Sequence, residues 1–415
     1  MLQNLPLLRL LGLLLPISGL ALGCADDPAA DGEAGDTGDT EGTDSTGTDD
    51  EVGTDGSESA TTDATDTTGD GDTTTTDDTD TDGIEDPLPT APTGEWLYVP
   101  IEGMMCRDGS QSGVAVRYSA TADKLALYME GGGACFNALT CGINPSSVDA
   151  GKFDPGPSGG IFNPDNPGNP MRDYNFVYFP YCTGDVFFGS KPNSNVPGGP
   201  QNQMFVGHDN VLIALERIID TFPDATVVTA VGESGGGFGA ASNYDTIAGY
   251  FPGIDVTLVD DSGPIFRDMY LAPCLQQTFR DVWGIDESLP EDCTTCFGAD
   301  GGGLWTYLPF IQDKYPNAIK SLISSEADGT ISTFYGFGSG ECMALFPSFP
   351  QFEEALYDLR DNALNGDSWA SFIKTGNTHT YLSGEDTLYS TEAGGVTLDV
   401  WLTDVLAGSP YHVQP

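Results

Sequence analysis

After position 92 the hydrophobic residues fall into short continuous runs separated by helical patterns. The runs "EWLYVPI", "KLALYME", "YNFVYFPY", "TVVTAV" and "DVTLVD" read as strands, and "IKSLIS" and "SWASFIK" extend the series. Unbroken apolar strands are expected where a sheet is covered on both faces, as parallel sheets are. Between the runs, "NQMFVGHDNVLIALERIIDTF" carries apolar residues at helical spacing and stops at Pro223; "GFGAASNYDTIAGYF" and "FPQFEEALYDLRDNAL" are further helices. Alternating strands and helices predict an α/β fold with a mostly parallel central sheet flanked by helices. Residues 93–415, about 320 in all, are enough for one large domain with its own core, and neither an internal repeat nor a later linker interrupts them.

The first 92 residues follow different rules. Residues 1–23 read as an export signal: Arg9 supplies the positive charge and "LLGLLLPISGLALG" an apolar stretch too short, and too broken by Pro16, for a membrane span. The stretch ends Ala21-Leu22-Gly23-Cys24, which resembles a bacterial lipobox, so Cys24 is the expected lipidation site and a membrane is expected as partner only through that anchor. Residues 24–92 then read as a disordered linker. From Ala25 to Pro92 there are 23 acids and no Lys or Arg among Thr, Gly and Ser, so apolar burial cannot offset the entropy of ordering. "DTDTDG", Asp78 to Gly83, matches the opening of a calcium loop, but the closing position is Pro89 rather than Glu; charge repetition is the better reading.

Charge and cysteines narrow the picture further. Beyond residue 92 there are 40 acids against 13 Lys and Arg, a net of −27, which excludes nucleic-acid binding and repels anionic membranes. With Cys24 set aside, eight cysteines remain: Cys106, Cys135, Cys141, Cys182, Cys274, Cys293, Cys296 and Cys342. An even number in an exported chain predicts four disulfides, with Cys135–Cys141 the nearest natural pair and Cys106–Cys182 another candidate. Cys293-Thr-Thr-Cys296 has no second pair at zinc spacing and no nearby His, so no metal is expected.

The chemistry centres on "VVTAVGESGGGFGAAS". A strand, the turn Gly232-Glu233-Ser234-Gly235-Gly236 and a helix follow one another, which is the setting of a nucleophile elbow. Ser234 is the candidate nucleophile, and the N–H of Gly235, next in sequence, a candidate oxyanion donor. A serine needs a base, and the chain has three His. His208 opens a helix and is expected to cap or pack; His412 is expected to be exposed near the C-terminus. His379, in the late loop "KTGNTHTYLSG", fits the order Ser, acid, His. The acid is Asp328 in "SEADGTIS", or Asp261 (or Asp260) in "VTLVDDSGP". In "LALYMEGGGACFN" the glycine triplet Gly131-Gly132-Gly133 follows a buried strand, and this loop is the candidate source of the second oxyanion donor.

Taken together, "MEGGGACFN", "PYCTGDVFFG", "GESGGG" and "DDSGP", in that order, resemble the pectin acetylesterase and Notum family over most of residues 93–415, with a poor match from about 270 to 320. The resemblance implies an α/β-hydrolase-like fold and ester hydrolysis by Ser234, His379 and an acid placed as Asp328 is, with Gly132, Gly133 and Gly235 as the oxyanion hole and no cofactor. Plant-type members carry a bulky Trp before the motif cysteine, where this chain has Ala134, so a more open mouth and a different ester are implied. The expected partner is an ester substrate, foremost an acetylated glycan such as pectin, acted on by a monomer at the cell surface. A neutral-glycan, lipid-like or polyester substrate stays open, because a domain near −27 repels de-esterified pectin. The rival from another class is a displayed binding module on a dead hydrolase fold.

Overall fold

A computed structural model describes residues 86–415 apart from 121–122 and 343–348; Cys24, the signal and the linker up to residue 85 lie outside the described residues. Nine strands form one sheet: β1 (Trp96–Met105), β2 (Gln111–Arg117), β3 (Lys124–Met129), β4 (Asn175–Phe179), β5 (Val227–Glu233), β6 (Thr257–Asp261), β7 (Lys320–Ser325), β8 (Trp369–Lys374) and β9 (His412–Val413). Their order is β1-β2-β4-β3-β5-β6-β7-β8-β9. The β1–β2 and β2–β4 pairs are antiparallel and every later pair is parallel. This is the α/β-hydrolase-like arrangement. β2 and β9 are additions to the strands legible in the hydrophobic pattern.

The continuous apolar runs are explained by the two cores. In β3, Leu125, Leu127 and Met129 face one core while Ala126 and Tyr128 face the other; in β4, Val177 and Phe179 oppose Phe176 and Tyr178. Successive side chains point to opposite faces, so a strand covered on both sides is apolar at every position. Helix α1 (Gly207–Thr221) covers the first face with Val211, Ala214, Leu215 and Ile218. Helix α5 (Leu398–Leu406) covers the second with Leu398, Trp401, Leu402 and Val405. Both sets have the i, i+3, i+4, i+7 spacing of one helix face.

Four disulfides join Cys106–Cys182, Cys135–Cys141, Cys274–Cys342 and Cys293–Cys296. Such a set marks a protein of an oxidising, extracytoplasmic compartment. No described helix is long and apolar enough to cross a membrane. Parallel register brings the ends of β3, β5, β6, β7 and β8 to one edge of the sheet. Met129 lies opposite Gly232, Glu233 opposite Asp261, Asp261 opposite Ile323, and Lys374 opposite Ser325. All the loops carrying candidate chemistry leave from that edge, where open α/β sheets bind ligands.

Asp260, near the end of β6, is buried, with the N–H of Gly263 donating to its Oδ1 at 2.8 Å. Burial pushes its carboxyl up to about 8. The unfolded chain, with an ordinary value of about 3.9, gives up this proton first. Folding stability is therefore lost as pH rises between about 4 and 8. Asp260→Asn is expected to remove that component, so that the melting temperature of the variant gains on the parent steadily across this range. Thermal unfolding at matched pH values checks it, and a constant difference would contradict it.

Candidate active site

Ser234 sits at the hinge between β5 and helix α2 (Gly235–Ser242) with φ 57° and ψ −121°. A non-glycine residue held at positive φ is strained and persists only where its surroundings force it. Those surroundings are backbone. The Ser234 N–H donates to Asp261 O at 2.7 Å. A Cβ on Gly232 would come within 2.0 Å of Gly236 O, and one on Gly236 within 1.9 Å of Met129 O. Gly232 is thus the condition for closing the turn on itself, and Gly236 for packing it against β3.

The structure brings Ser234, His379 and Asp328 together. Ser234 Oγ lies 2.8 Å from His379 Nε2, and His379 Nδ1 lies 2.7 Å from Asp328 Oδ2. Asp328 is fully buried, and its other oxygen accepts the N–H groups of Thr330 at 2.9 Å and Ile331 at 3.0 Å. It is therefore the N-cap of helix α4 (Gly329–Gly336), whose positive end favours the carboxylate. One oxygen seats the acid and the other is left for the imidazole. Asp261 does not contact the ring; its Oδ2 accepts the N–H groups of Tyr381 and Leu382. Asp260 faces Gly263 instead. His208 is buried against Asn243, at 2.7 Å, with burial lowering its basicity. His412 is exposed, with Nδ1 at 2.8 Å from Ser371 Oγ.

The glycine loop after β3 is oriented by side chains the sequence did not single out. Asn144 Nδ2 donates to Gly132 O at 2.7 Å, and the Tyr181 hydroxyl donates to Gly133 O at 2.8 Å while accepting the Val186 N–H at 2.9 Å. In a trans peptide the N–H points opposite the carbonyl, so the Asn144 bond turns the Gly133 N–H the other way. Tyr181 leaves no room for a Cβ on Gly132, which would meet its ring at 2.4 Å. Among the described residues no protein acceptor takes the N–H of Gly132, Gly133 or Gly235. Tyr181 lies inside the quoted "PYC" string; a clue was present there, without a role attached.

Beside Ser234, Gly133 and Gly235 opens a cleft with an almost wholly apolar lining. Phe279 and Trp283 contribute from helix α3 (Pro273–Trp283), and Ile331 and Phe334 from α4, the helix that Asp328 caps. Ala134 lies on the lining too, where a larger side chain would narrow it. The Cys274–Cys342 disulfide ties the start of α3 to the segment beyond α4. Among the described residues no cluster of His, Cys, Asp or Glu could hold a metal ion.

Comparison with known proteins follows the same lines. The sequence profile described as Pectinacetylesterase matches residues 98–301. Palmitoleoyl-protein carboxylesterase notum1' of Xenopus laevis is 28% identical over 173 residues, covering 39% of this chain and 35% of that protein. Inactive palmitoleoyl-protein carboxylesterase notum1b of Danio rerio is 31% identical over 99 residues, covering 22% of this chain and 71% of that one. The chain thus spans about a third of the first relative's length. The solved structure of the Wnt deacylase Notum from Drosophila superposes with a TM-score of 0.59 at 20% identity, over 77% of this chain and 96% of that one.

A Gly236→Ala chain is expected to lose about 3 kcal/mol or to fail to fold, because the new methyl would drive into the Met129 carbonyl. Gly249→Ala, where nothing lies within 4 Å of the added carbon, is the control and should gain a few tenths to 1 kcal/mol. Urea unfolding of the pair tests the contrast; equal stabilities would refute the packing argument.

Proposed function

Because the chain belongs to the pectin acetylesterase and Notum family, we propose that it is a serine carboxylesterase acting through Ser234, His379 and Asp328. The observation that carries the reading is the unbroken hydrogen-bonded chain from the Ser234 hydroxyl through both imidazole nitrogens to a buried carboxylate. Ser234 Oγ attacks the ester carbonyl and its proton passes to His379 Nε2. Asp328 holds the opposite N–H and stabilises the imidazolium. The developing oxyanion is taken by backbone N–H groups of Gly132, Gly133 and Gly235. The alcohol leaves with the proton from Nε2, and water, deprotonated by the same nitrogen, releases the acyl group.

The acyl group is the part of the substrate on which the cleft bears. An acetyl group would leave most of the apolar space beside Ser234 unfilled, whereas each methylene buried there contributes about 0.8 kcal/mol. The cleft therefore favours a longer, lipid-like acyl chain over the acetyl ester of a glycan. Export with a lipid on Cys24 would hold the esterase at a membrane surface through the acidic segment that follows it in sequence.

Hydrolysis of p-nitrophenyl acetate, butyrate and octanoate by the parent and by folded Ser234→Ala tests both parts. The variant is expected to lose about 10³-fold or more in kcat. For the parent, kcat/KM is expected to rise at least about tenfold from acetate to octanoate, since six buried methylenes far exceed the roughly 1.4 kcal/mol this requires. An acetate optimum would return the substrate to acetyl esters, and equal activity of parent and variant would remove Ser234 from the mechanism.

A further inference from the structure

Two buried carboxylates stand next to the reacting groups without belonging to their chain. Glu233 and Asp261 are direct neighbours across β5 and β6, 5% and 0% exposed. Among the described residues neither forms an ion pair. Burying such groups side by side is unfavourable: burial and the charge of Glu233 push the Asp261 carboxyl well above the usual carboxylate range. An arrangement of this kind calls for a use.

Their hydrogen bonds supply one. Asp261 Oδ2 accepts the N–H groups of Tyr381 at 2.6 Å and Leu382 at 2.9 Å. Glu233 Oε1 accepts the N–H of Ser383 at 3.0 Å and its hydroxyl at 3.1 Å. Among the described residues, only the Tyr128 hydroxyl on Glu233 Oε2 and the Ser262 hydroxyl on Asp261 Oδ1 come from elsewhere. Three consecutive residues, beginning two after His379, are thus held on two carboxylates. Residues 375–384 form neither helix nor strand, so no regular backbone ladder fixes the imidazole. On its other side the loop is held at β7: Ala327 N–H donates to Gly376 O at 2.9 Å, and Ser325 Oγ to Thr378 O at 2.6 Å. His379 is suspended between an anchor beside Asp328 and an anchor beside Ser234.

We propose that Glu233 and Asp261 are positioning residues that clamp segment 381–383 and so set His379 between Ser234 and Asp328. The inference rests on the serine-esterase reading of the same site. It explains why carboxyl groups occupy these positions despite the cost of burying them side by side: each offers one oxygen that takes two donors of the segment at once. It also gives Asp261 a role beside the histidine without making it the acid of the chain. Because Glu233 is peptide-bonded to Ser234, the clamp ties the base to the nucleophile's own turn.

The test uses the full chain with Glu233→Ala, Asp261→Ala, Glu233→Gln and Asp261→Asn. Two quantities are read: kcat and KM on the best p-nitrophenyl ester, and the far-downfield proton resonance of the His379 Nδ1–H bonded to Asp328, which needs no turnover. The alanine variants are expected to lose about 10²-fold in kcat, the scale of a small misplacement of a reacting group, with KM within about twofold. They are also expected to lose or shift the resonance. Gln and Asn, which keep one acceptor oxygen, should recover at least about a tenth of the parent kcat and the resonance. Folded alanine variants with parental kcat and an unmoved resonance overturn the proposal. If alanine prevents folding, Gln and Asn decide: a reduced kcat with a displaced resonance supports the clamp, and parental values overturn it. If the parent has no Ser234-dependent hydrolysis, the esterase reading fails by itself, and the resonance alone decides whether the carboxylates place His379.

Discussion

The turn at Ser234 meets the end of β3 with no space for one additional carbon, and the rest of the site depends on that contact. Gly232 and Gly236 allow backbone to lie against backbone, which forces the serine to positive φ and lifts its hydroxyl clear of the sheet edge. The same approach brings Gly235 against the loop that follows β3; a Cβ on Gly235 would sit 3.0 Å from Gly133 O. One steric constraint therefore sets the proposed nucleophile and the relative placement of two proposed oxyanion donors. Groups held this way need little reorganisation when charge develops.

Around that contact the supporting polar groups are shared between tasks. Asp328 caps α4 and bonds His379, so the helix that lines the cleft is also the one that holds the acid. Tyr181 braces the glycine loop while its ring fills the space beneath Gly132. Asn144 is fixed near the Cys135–Cys141 loop and bonds the glycine carbonyl. Such sharing makes the site stiff, and it makes single substitutions felt in more than one place.

Much of this was legible in the sequence, for reasons that differ by element. The strands of the parallel region announce themselves because both faces are apolar, and the serine turn because strand, glycines and helix follow in order. β2 escaped because Ser112 and Gly113 interrupt a short run, and pairing with β1 across the turn at Gly109 supplies what local preference does not. Asp328 and Asp261 both stand at strand ends with similar local sequence; which one reaches the imidazole is a matter of strand order, which no local pattern carries. Glu233 occupies the variable position of the serine motif, where only its contacts with Ser383 reveal a role. The cleft was out of reach for a related reason. Its walls come from α3 and α4, distant in sequence and without a motif, and their apolar faces do not reveal whether they meet the core or a substrate.

The hydrogen bonds between residues 233 and 383 span almost half of the domain's length. The serine turn can form once β3, β5 and β6 are in place, but the histidine loop is bound to those strands only through residues close to the C-terminus. A growing chain emerges N-terminus first. Until its last strands join the sheet it carries a shaped turn with no base beside it. The hydrogen-bonded chain at Ser234 therefore requires nearly the whole length of the domain, and a product ending before residue 379 has none of it.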